Sequence, residues 1–389
     1  MSVSGETFAP LLAVRPVLAE LAGRAAEMEE VRRLPADLAL KMAQAGVFRM
    51  VTPARFGGYE AAPLQIVETL EAIATANASA GWCAMIAATT ALNAAFMAPE
   101  DAAVVYADPL TITSGVFAPM GKAVVEDGAY RVSGRWQWGS GSANCTWLCG
   151  GCTVWEGGEM KRLASGAPDI RMMVFPASEA TLHDTWHVMG LKGTGSGDIE
   201  VRDILVPRGR SVSLFSDAPR ENGRLFKFPV FGLLALGVSA VALGNSRGAI
   251  DSFRALATVK KNQGSAKTLA ERQNVQTAYA DCEARWRSAR AYLMSETDRL
   301  WEVAGQARDI PTGPRADLRL ACTHMTRVGA DICRTLYDLG GGAALFEASD
   351  LQRRFRDAHA ITQHIVTAPA TYELIGRVGF GLTTDTSML

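Results

Sequence analysis

Apolar positions along this chain change period twice. Up to about residue 108 they recur every three to four positions among Ala, Leu, Met and Glu, which predicts helices. Pro35, Pro63 and Pro99 each stand where a first helical turn tolerates proline. Asn77-Ala-Ser-Ala80 is predicted to open a long apolar helix ending near Met97. From about 109 to 215 the period drops to two: Tyr130, Val132, Trp136 and Trp138 alternate with other residues in one run. Turn signals follow one another there, at Asp127-Gly128, Ser133-Gly134, Gly157-Gly158 and Gly193-Thr-Gly-Ser-Gly197, and Pro207 closes the last run. This predicts a domain of short antiparallel strands. A polar connection over 216–230 carries Pro219 and Pro229. Long helical patterns then run over about 231–262, 268–305 and 315–339, punctuated by Gly264, Pro311–Pro314 and Gly340-Gly-Gly342. Helices of that length must bury apolar stripes against one another, as in a bundle. The reading is an α+β chain in three parts: helices over 1–108, strands over 109–215 and a helical bundle over 216–389.

Charge narrows the function classes. Against 39 Lys and Arg stand 40 Asp and Glu, a net charge of −1, so there is no basic surplus for neutralising phosphates and no nucleic-acid partner is expected. With 48% apolar and 20% charged residues the chain can build a large core. No uninterrupted apolar run reaches ~18 residues, so no membrane span is expected. The opening MSVSGETFAP lacks a basic segment followed by an apolar one. Seven scattered cysteines fit reduced thiols in the cytoplasm.

Most chemical motifs are missing. There is no strand-linked GxGxxG, no Walker loop, no HExxH and no GxSxG; Gly340-Gly-Gly342 follows a helix rather than a strand. Cys145, Cys149 and Cys152 fall on a predicted strand without a fourth ligand nearby, and read as buried structural residues. Of five histidines, His183 and His187 lie on a strand and its exit, while His359 and His364 are five apart and point differently on a helix. Composition and periodicity stop at a three-part α+β protein with a ligand site.

Four segments go further. Thr52-Pro-Ala-Arg-Phe-Gly-Gly58, Gly134-Arg-Trp-Gln-Trp-Gly-Ser-Gly141, Gly190-Leu-Lys-Gly-Thr-Gly-Ser196 with Asp203-Ile-Leu-Val-Pro207, and Leu339-Gly-Gly341 with Arg356-Asp-Ala358 resemble, in this order, segments of the acyl-CoA dehydrogenase fold. The resemblance implies an N-terminal helical domain, a middle antiparallel β-barrel and a C-terminal four-helix bundle. The chain departs from true dehydrogenases after Arg356-Asp-Ala358: a histidine or isoleucine occupies the region where a catalytic glutamate would stand, and α-proton abstraction needs such a base. The late His364, with Trp138-Gly139-Ser140 and the Gly190–Ser196 run, is similar instead to the oxygenase components of two-component flavin monooxygenases. Those use reduced flavin from a separate reductase, and O2, through a flavin C4a-hydroperoxide.

The same resemblance implies site residues. His364 is the expected acid–base or hydrogen-bonding group, and Ser140 the expected partner of the substrate. Trp138, Gly139, Ser140, Thr194 and Ser196 are expected along the flavin, FMN or FAD. Lys260, Gln273, Gly340 and Gly341 are expected to hold the flavin tail across a subunit interface, which implies a homotetramer. Trp82, Met85, Thr89 and Asn93 share one helix face at spacings of three to four, expected to line the substrate pocket. Phe117 is expected there too; with Ala118 it replaces a His or Asn that several related hydroxylases carry, which favours a less polar aromatic or an amine over a simple phenol. Three alternatives stay open: an acyl-CoA dehydrogenase, with Glu347 or Glu373 as its late carboxylate; an amine N-hydroxylase; and a catalytically silent binding protein of the same fold.

Overall fold

A computed structural model describes residues 8–261, 263–306 and 309–389. The N-terminal helices are α1 (Ala9–Gly23), α2 (Ala25–Val31), α3 (Ala36–Gln44), α4 (Pro63–Ala76), α5 (Ala78–Thr90) and α6 (Pro99–Val105). Pro63 and Pro99 open their helices and Pro35 caps α3, as proline's fixed φ and missing N–H allow. The Asn77 side chain accepts from Ala80 N at 3.0 Å and so starts α5. That helix ends earlier than expected, at Thr90, and Ala91–Ala95 continues as a 3-10 turn. Near its end the Thr89 hydroxyl donates to the Met85 carbonyl at 2.8 Å.

The middle segment forms β1 (Thr113–Glu126), β2 (Ala129–Trp136), β3 (Trp147–Glu156), β4 (Glu159–Met160), β5 (Ile170–Pro176), β6 (Thr181–His183), β7 (Asp198–Pro207) and β8 (Ser211–Val212). The expected antiparallel barrel is corrected here. The sheet is mixed and has two ends, with the order β6-β7-β2-β1-β3-β5-β8 and β4 on β3. The hairpin at Gly128 (φ 73°) fills one edge of β1 with β2. The chain therefore returns to the other edge of β1, and β3 pairs there in parallel. Trp136 fills the sheet core, stacked on Phe175 with ring centroids 5.9 Å apart. Gly121, Gly134 and Gly150 have no Cβ where the indole lies.

The C-terminal helices are α7 (Val230–Val259), α8 (Gln273–Gln306), α9 (Thr312–Gly340), α10 (Asp350–Ile361) and α11 (Ala370–Gly379). By length and composition α7 is apolar enough to cross a membrane, but 83% of its most apolar window is buried inside the protein. It packs on α4, α5, α9 and α10, so N- and C-terminal helices share one apolar core while the sheet has its own.

Candidate active site

The functional candidates converge where α5, the exit of β2, the glycine-rich turn before β7 and the turn after α10 meet. Beyond Trp136 the chain leaves the sheet through Trp138, a non-glycine residue at φ 67°. At Gly139 a Cβ would lie 2.6 Å from the Ile199 side chain, so only glycine fits. Gly139 N donates to Gly197 O at 3.0 Å and Gly141 N to Thr194 O at 2.8 Å, which fastens this segment to the glycine-rich turn.

That turn starts with strain. Leu191 sits at φ 53°, a conformation disfavoured for a branched residue, and is held there by its neighbours. Its N–H donates to Asp357 Oδ1 at 2.6 Å, and its carbonyl accepts from Thr194 Oγ1 at 2.8 Å and Trp186 Nε1 at 3.0 Å. Burial pushes the Asp357 carboxyl up to about 6; the Leu191 N–H pulls the other way, and nearby Glu29 adds to the rise. Arg356, beside it, reaches Met189 O and pairs with Glu29 at 2.7 Å. The Arg356-Asp357 pair thus ties α10, α2 and the turn together.

Four buried polar side chains then form a chain of hydrogen bonds. Trp82 Nε1 donates to Ser140 Oγ at 3.0 Å; Ser140 and Ser196 hydroxyls lie 2.6 Å apart, as do those of Ser196 and Thr194. Proton counting sets the direction. Thr194 gives its only hydroxyl proton to Leu191 O, so Ser196 donates to Thr194, and Ser140 in turn donates to Ser196. Ser140 is left with an acceptor and no free proton. Its carbonyl is held by Ser114 Oγ at 2.5 Å.

His364 lies beside this chain. Its ring meets the Trp82 ring at a centroid distance of 5.5 Å and an angle of 68°. His364 Nδ1 accepts from Val366 N at 3.4 Å, capping the Ile365–Thr367 turn, so the neutral ring carries its proton on Nε2. The residue is half-buried, and burial, followed by the Arg319 cation, lowers its pKa to about 4. At neutral pH it is an uncharged hydrogen-bond donor.

Other expected residues fall nearby or elsewhere. On α5, Met85 and Thr89 face Gly237 of α7, where a Cβ would lie 2.6 Å from Met85 Cγ. Asn93 lies beyond the helix, on the 3-10 turn, and its amide reaches Cys149 Sγ at 3.6 Å. Phe117 belongs to an aromatic cluster with Phe215 and Phe231, at centroid distances of 5.5 and 5.6 Å. Trp138 is 57% exposed at the rim. Lys260 Nζ donates to Gly340 O, and Gly341 turns at φ 52°, well apart in sequence from the hydroxyl chain. Gln273 opens α8 as an exposed residue. His359 packs its ring on Phe355 at 4.6 Å. Among the described residues no group of His, Cys, Asp and Glu could hold a metal, and burial raises the thiol pKa of Cys149 to about 12. Sequence reasoning missed Ser114, Phe215, Phe231 and Arg319, and quoted Asp357 without a role. Only Asp357 had a signal, its place between Arg356 and Ala358.

Residues 13–98 match the acyl-CoA dehydrogenase N-terminal domain, and residues 236–369 match the acyl-CoA dehydrogenase C-terminal domain. The chain is 31% identical to an indole-3-acetate monooxygenase of Pseudomonas putida, over 92% of this chain and 90% of that one. It is 30% identical to a flavin-dependent monooxygenase oxygenase subunit, HsaA, of Rhodococcus jostii (strain RHA1), over 96% and 98% of the two chains. The chain belongs to the acyl-CoA dehydrogenase family, in its flavin-dependent monooxygenase branch. The crystal structure of a 3-HSA hydroxylase from Rhodococcus sp. RHA1 superposes on this oxygenase with a TM-score of 0.91, at 26% identity, covering 99% and 100% of the chains. Within this monooxygenase branch, Glu347 and Glu373, the carboxylates a dehydrogenase would draw on, are both exposed to solvent.

Proposed function

We propose that this oxygenase takes reduced FMN or FAD from a separate flavin reductase and hydroxylates a small aromatic substrate with O2. One oxygen atom enters the substrate, the other leaves as water, and the flavin is released oxidised. The observation that carries the reading is the one-way hydroxyl chain ending at Ser140 beside a neutral His364.

The residues present fit a flavin. Trp138 offers an exposed aromatic surface at the rim, and the buried hydroxyls and turn backbone supply the few polar groups that an isoalloxazine edge needs. When bound, the reduced flavin supplies the two electrons that activate O2. The protein's share is position and protons. Ser140 accepts from a substrate O–H or ring N–H and so orients the ring. The His364 Nε2–H donates to oxygen atoms at the reacting centre. Trp82 holds both in register and keeps water off their buried side. The Phe117, Phe215 and Phe231 cluster with Met85 offers apolar surface to an aromatic ring.

The protein is also proposed to be a cytoplasmic homotetramer. Lys260 bonds Gly340, and close to this contact in sequence stand exposed Val259, Leu345 and Phe346, apolar surface suited to a second copy that, with Gln273 and Gly341, would complete the hold on the flavin tail. The deciding experiment is a flavin titration in both redox states. Reduced flavin should bind far more tightly than oxidised flavin, and aromatic product should form with O2. A stoichiometric yellow protein reduced by an acyl-CoA would sink the reading.

A further inference from the structure

Arg319 lies on α9 and is only 3% exposed. Among the described residues, no carboxylate lies within ion-pair distance of it. Its Nη2 donates to Val366 O at 2.8 Å, its Nη1 donates to Met388 O, and its Nε is buried without a partner. A buried guanidinium stays protonated, and one facing only carbonyl dipoles is expensive to keep. An apolar side chain would pack there at lower cost, so the charge calls for an explanation at the place it acts on.

That place is the turn after α10. Val366, whose carbonyl binds Arg319, gives its N–H to His364 Nδ1. One residue therefore joins the guanidinium and the imidazole. The guanidinium holds the Val366–Thr367 peptide, next to the Ile365–Val366 peptide whose N–H meets Nδ1, and its charge opposes a second charge on the ring. We propose that Arg319 is a positioning residue: it holds the His364 turn and keeps the imidazole uncharged, with Nε2–H as the only ring proton, throughout the working pH range. The proposal rests on the reading that His364 acts at the reacting centre.

The other surroundings support the same role. Arg327, one turn pair further along α9, binds Thr362 O at 3.1 Å and Thr367 O at 3.3 Å, so the second charge on this turn is also a cation. Cys322 on α9 is neutral, its pKa pushed up to about 12 by burial. From α5 the neighbour is Trp82, which does not titrate. α7 also packs against this turn, and its stretch Leu233–Ser246 carries no ionisable group. On α10, which precedes the turn, Asp357 is engaged by Leu191. Among the described residues, the charged side chains bonded to this turn are Arg319 and Arg327, and neither has a carboxylate within ion-pair distance. A neutral donor is the form suited to an oxygen atom that needs a proton nearby but must not lose it early.

The test reads His364 itself, without flavin or substrate. NMR of 13C,15N-histidine-labelled protein, with His364→Asn to assign the signal, gives the His364 titration in wild type, Arg319→Gln and Arg319→Lys. In wild type His364 should stay neutral from pH 8 down to pH 5; titration near the ordinary histidine value would overturn the proposal. In Arg319→Gln the pKa should rise by about one unit or more, whereas Arg319→Lys should keep it depressed. A folded Arg319→Gln with an unchanged His364 pKa would overturn the role. If Arg319→Gln fails to fold, Arg319→Met supplies the uncharged variant, with the same expected rise and the same overturning result. Because no cofactor enters, failure here leaves the proposed monooxygenase reading standing, and failure of that reading leaves this titration intact.

Discussion

The Trp82 indole and the His364 imidazole meet edge to face, 5.5 Å between centroids, while the indole N–H is taken by Ser140 Oγ at 3.0 Å. One aromatic residue thus links the histidine after α10 to the serine beyond the exit of β2. The two candidate groups are set by the same side chain.

Replacing His364 by alanine should lower product formation by roughly 10²–10⁴-fold and leave reduced-flavin affinity nearly unchanged. O2 consumption should continue, with hydrogen peroxide replacing product. The check is the ratio of product to peroxide per electron pair delivered. Because the ring is neutral above about pH 4, wild-type coupling should not vary between pH 5 and 8 through this residue. Wild-type coupling in the alanine variant would make His364 structural.

Thr194→Val should change what Ser140 recognises. Losing the terminal hydroxyl frees Ser196 to donate back, and Ser140 can then point its own proton at a ligand. Preference for a phenol over its methyl ether should fall by roughly 2- to 10-fold, the equivalent of one hydrogen bond of about 0.5–1.5 kcal/mol. Ser140→Ala should remove the same preference, and the double variant should lose no more than either single one. Additive losses would show that the hydroxyls act separately.

Asp357→Asn should flatten the dependence of stability on pH. The native carboxyl titrates near 6, above its ordinary 3.8, so the folded state binds the proton more tightly than the unfolded chain. Wild-type stability is therefore favoured below the ordinary value and falls as pH rises from about 4 to 6, by on the order of 2–3 kcal/mol from this group. Asparagine keeps an acceptor for Leu191 N and cannot ionise. Chemical denaturation at pH 4, 5, 6 and 7 measures the slope; an identical slope in the variant would exclude Asp357 as its source.

Leu345→Glu with Phe346→Glu should reduce the proposed assembly. These side chains are 68% and 70% exposed beside the Lys260–Gly340 contact, and two charges there disfavour burial against another copy. Light scattering should report a smaller species, with weaker flavin binding. An unchanged mass would move the subunit interface elsewhere.

Sequence alone determined what local physics controls. Proline at the helix starts, glycine at the Gly128 hairpin and the long 3.6-residue periodicities of α7, α8 and α9 act within a few residues of themselves. The resemblance of four short segments added candidates, and Trp82, Ser140, Thr194, Ser196 and His364 do come together. The end of α5 falls earlier than the apolar pattern predicts, because that pattern runs on without a break through the 3-10 turn Ala91–Ala95. Tertiary structure decided the rest. Period-two alternation has no partner or direction written in it, so the parallel pairing of β1 with β3 depends on which edge of β1 was free. The polarity of the hydroxyl chain follows from Leu191, whose carbonyl takes the last proton and whose backbone is held from Asp357, 166 residues away. Arg319 carries no pattern at all; its meaning arises only where the turn after α10 lays Val366 between it and His364. Such contacts join groups far apart along the chain, and a periodicity that repeats every two or 3.6 residues cannot encode them.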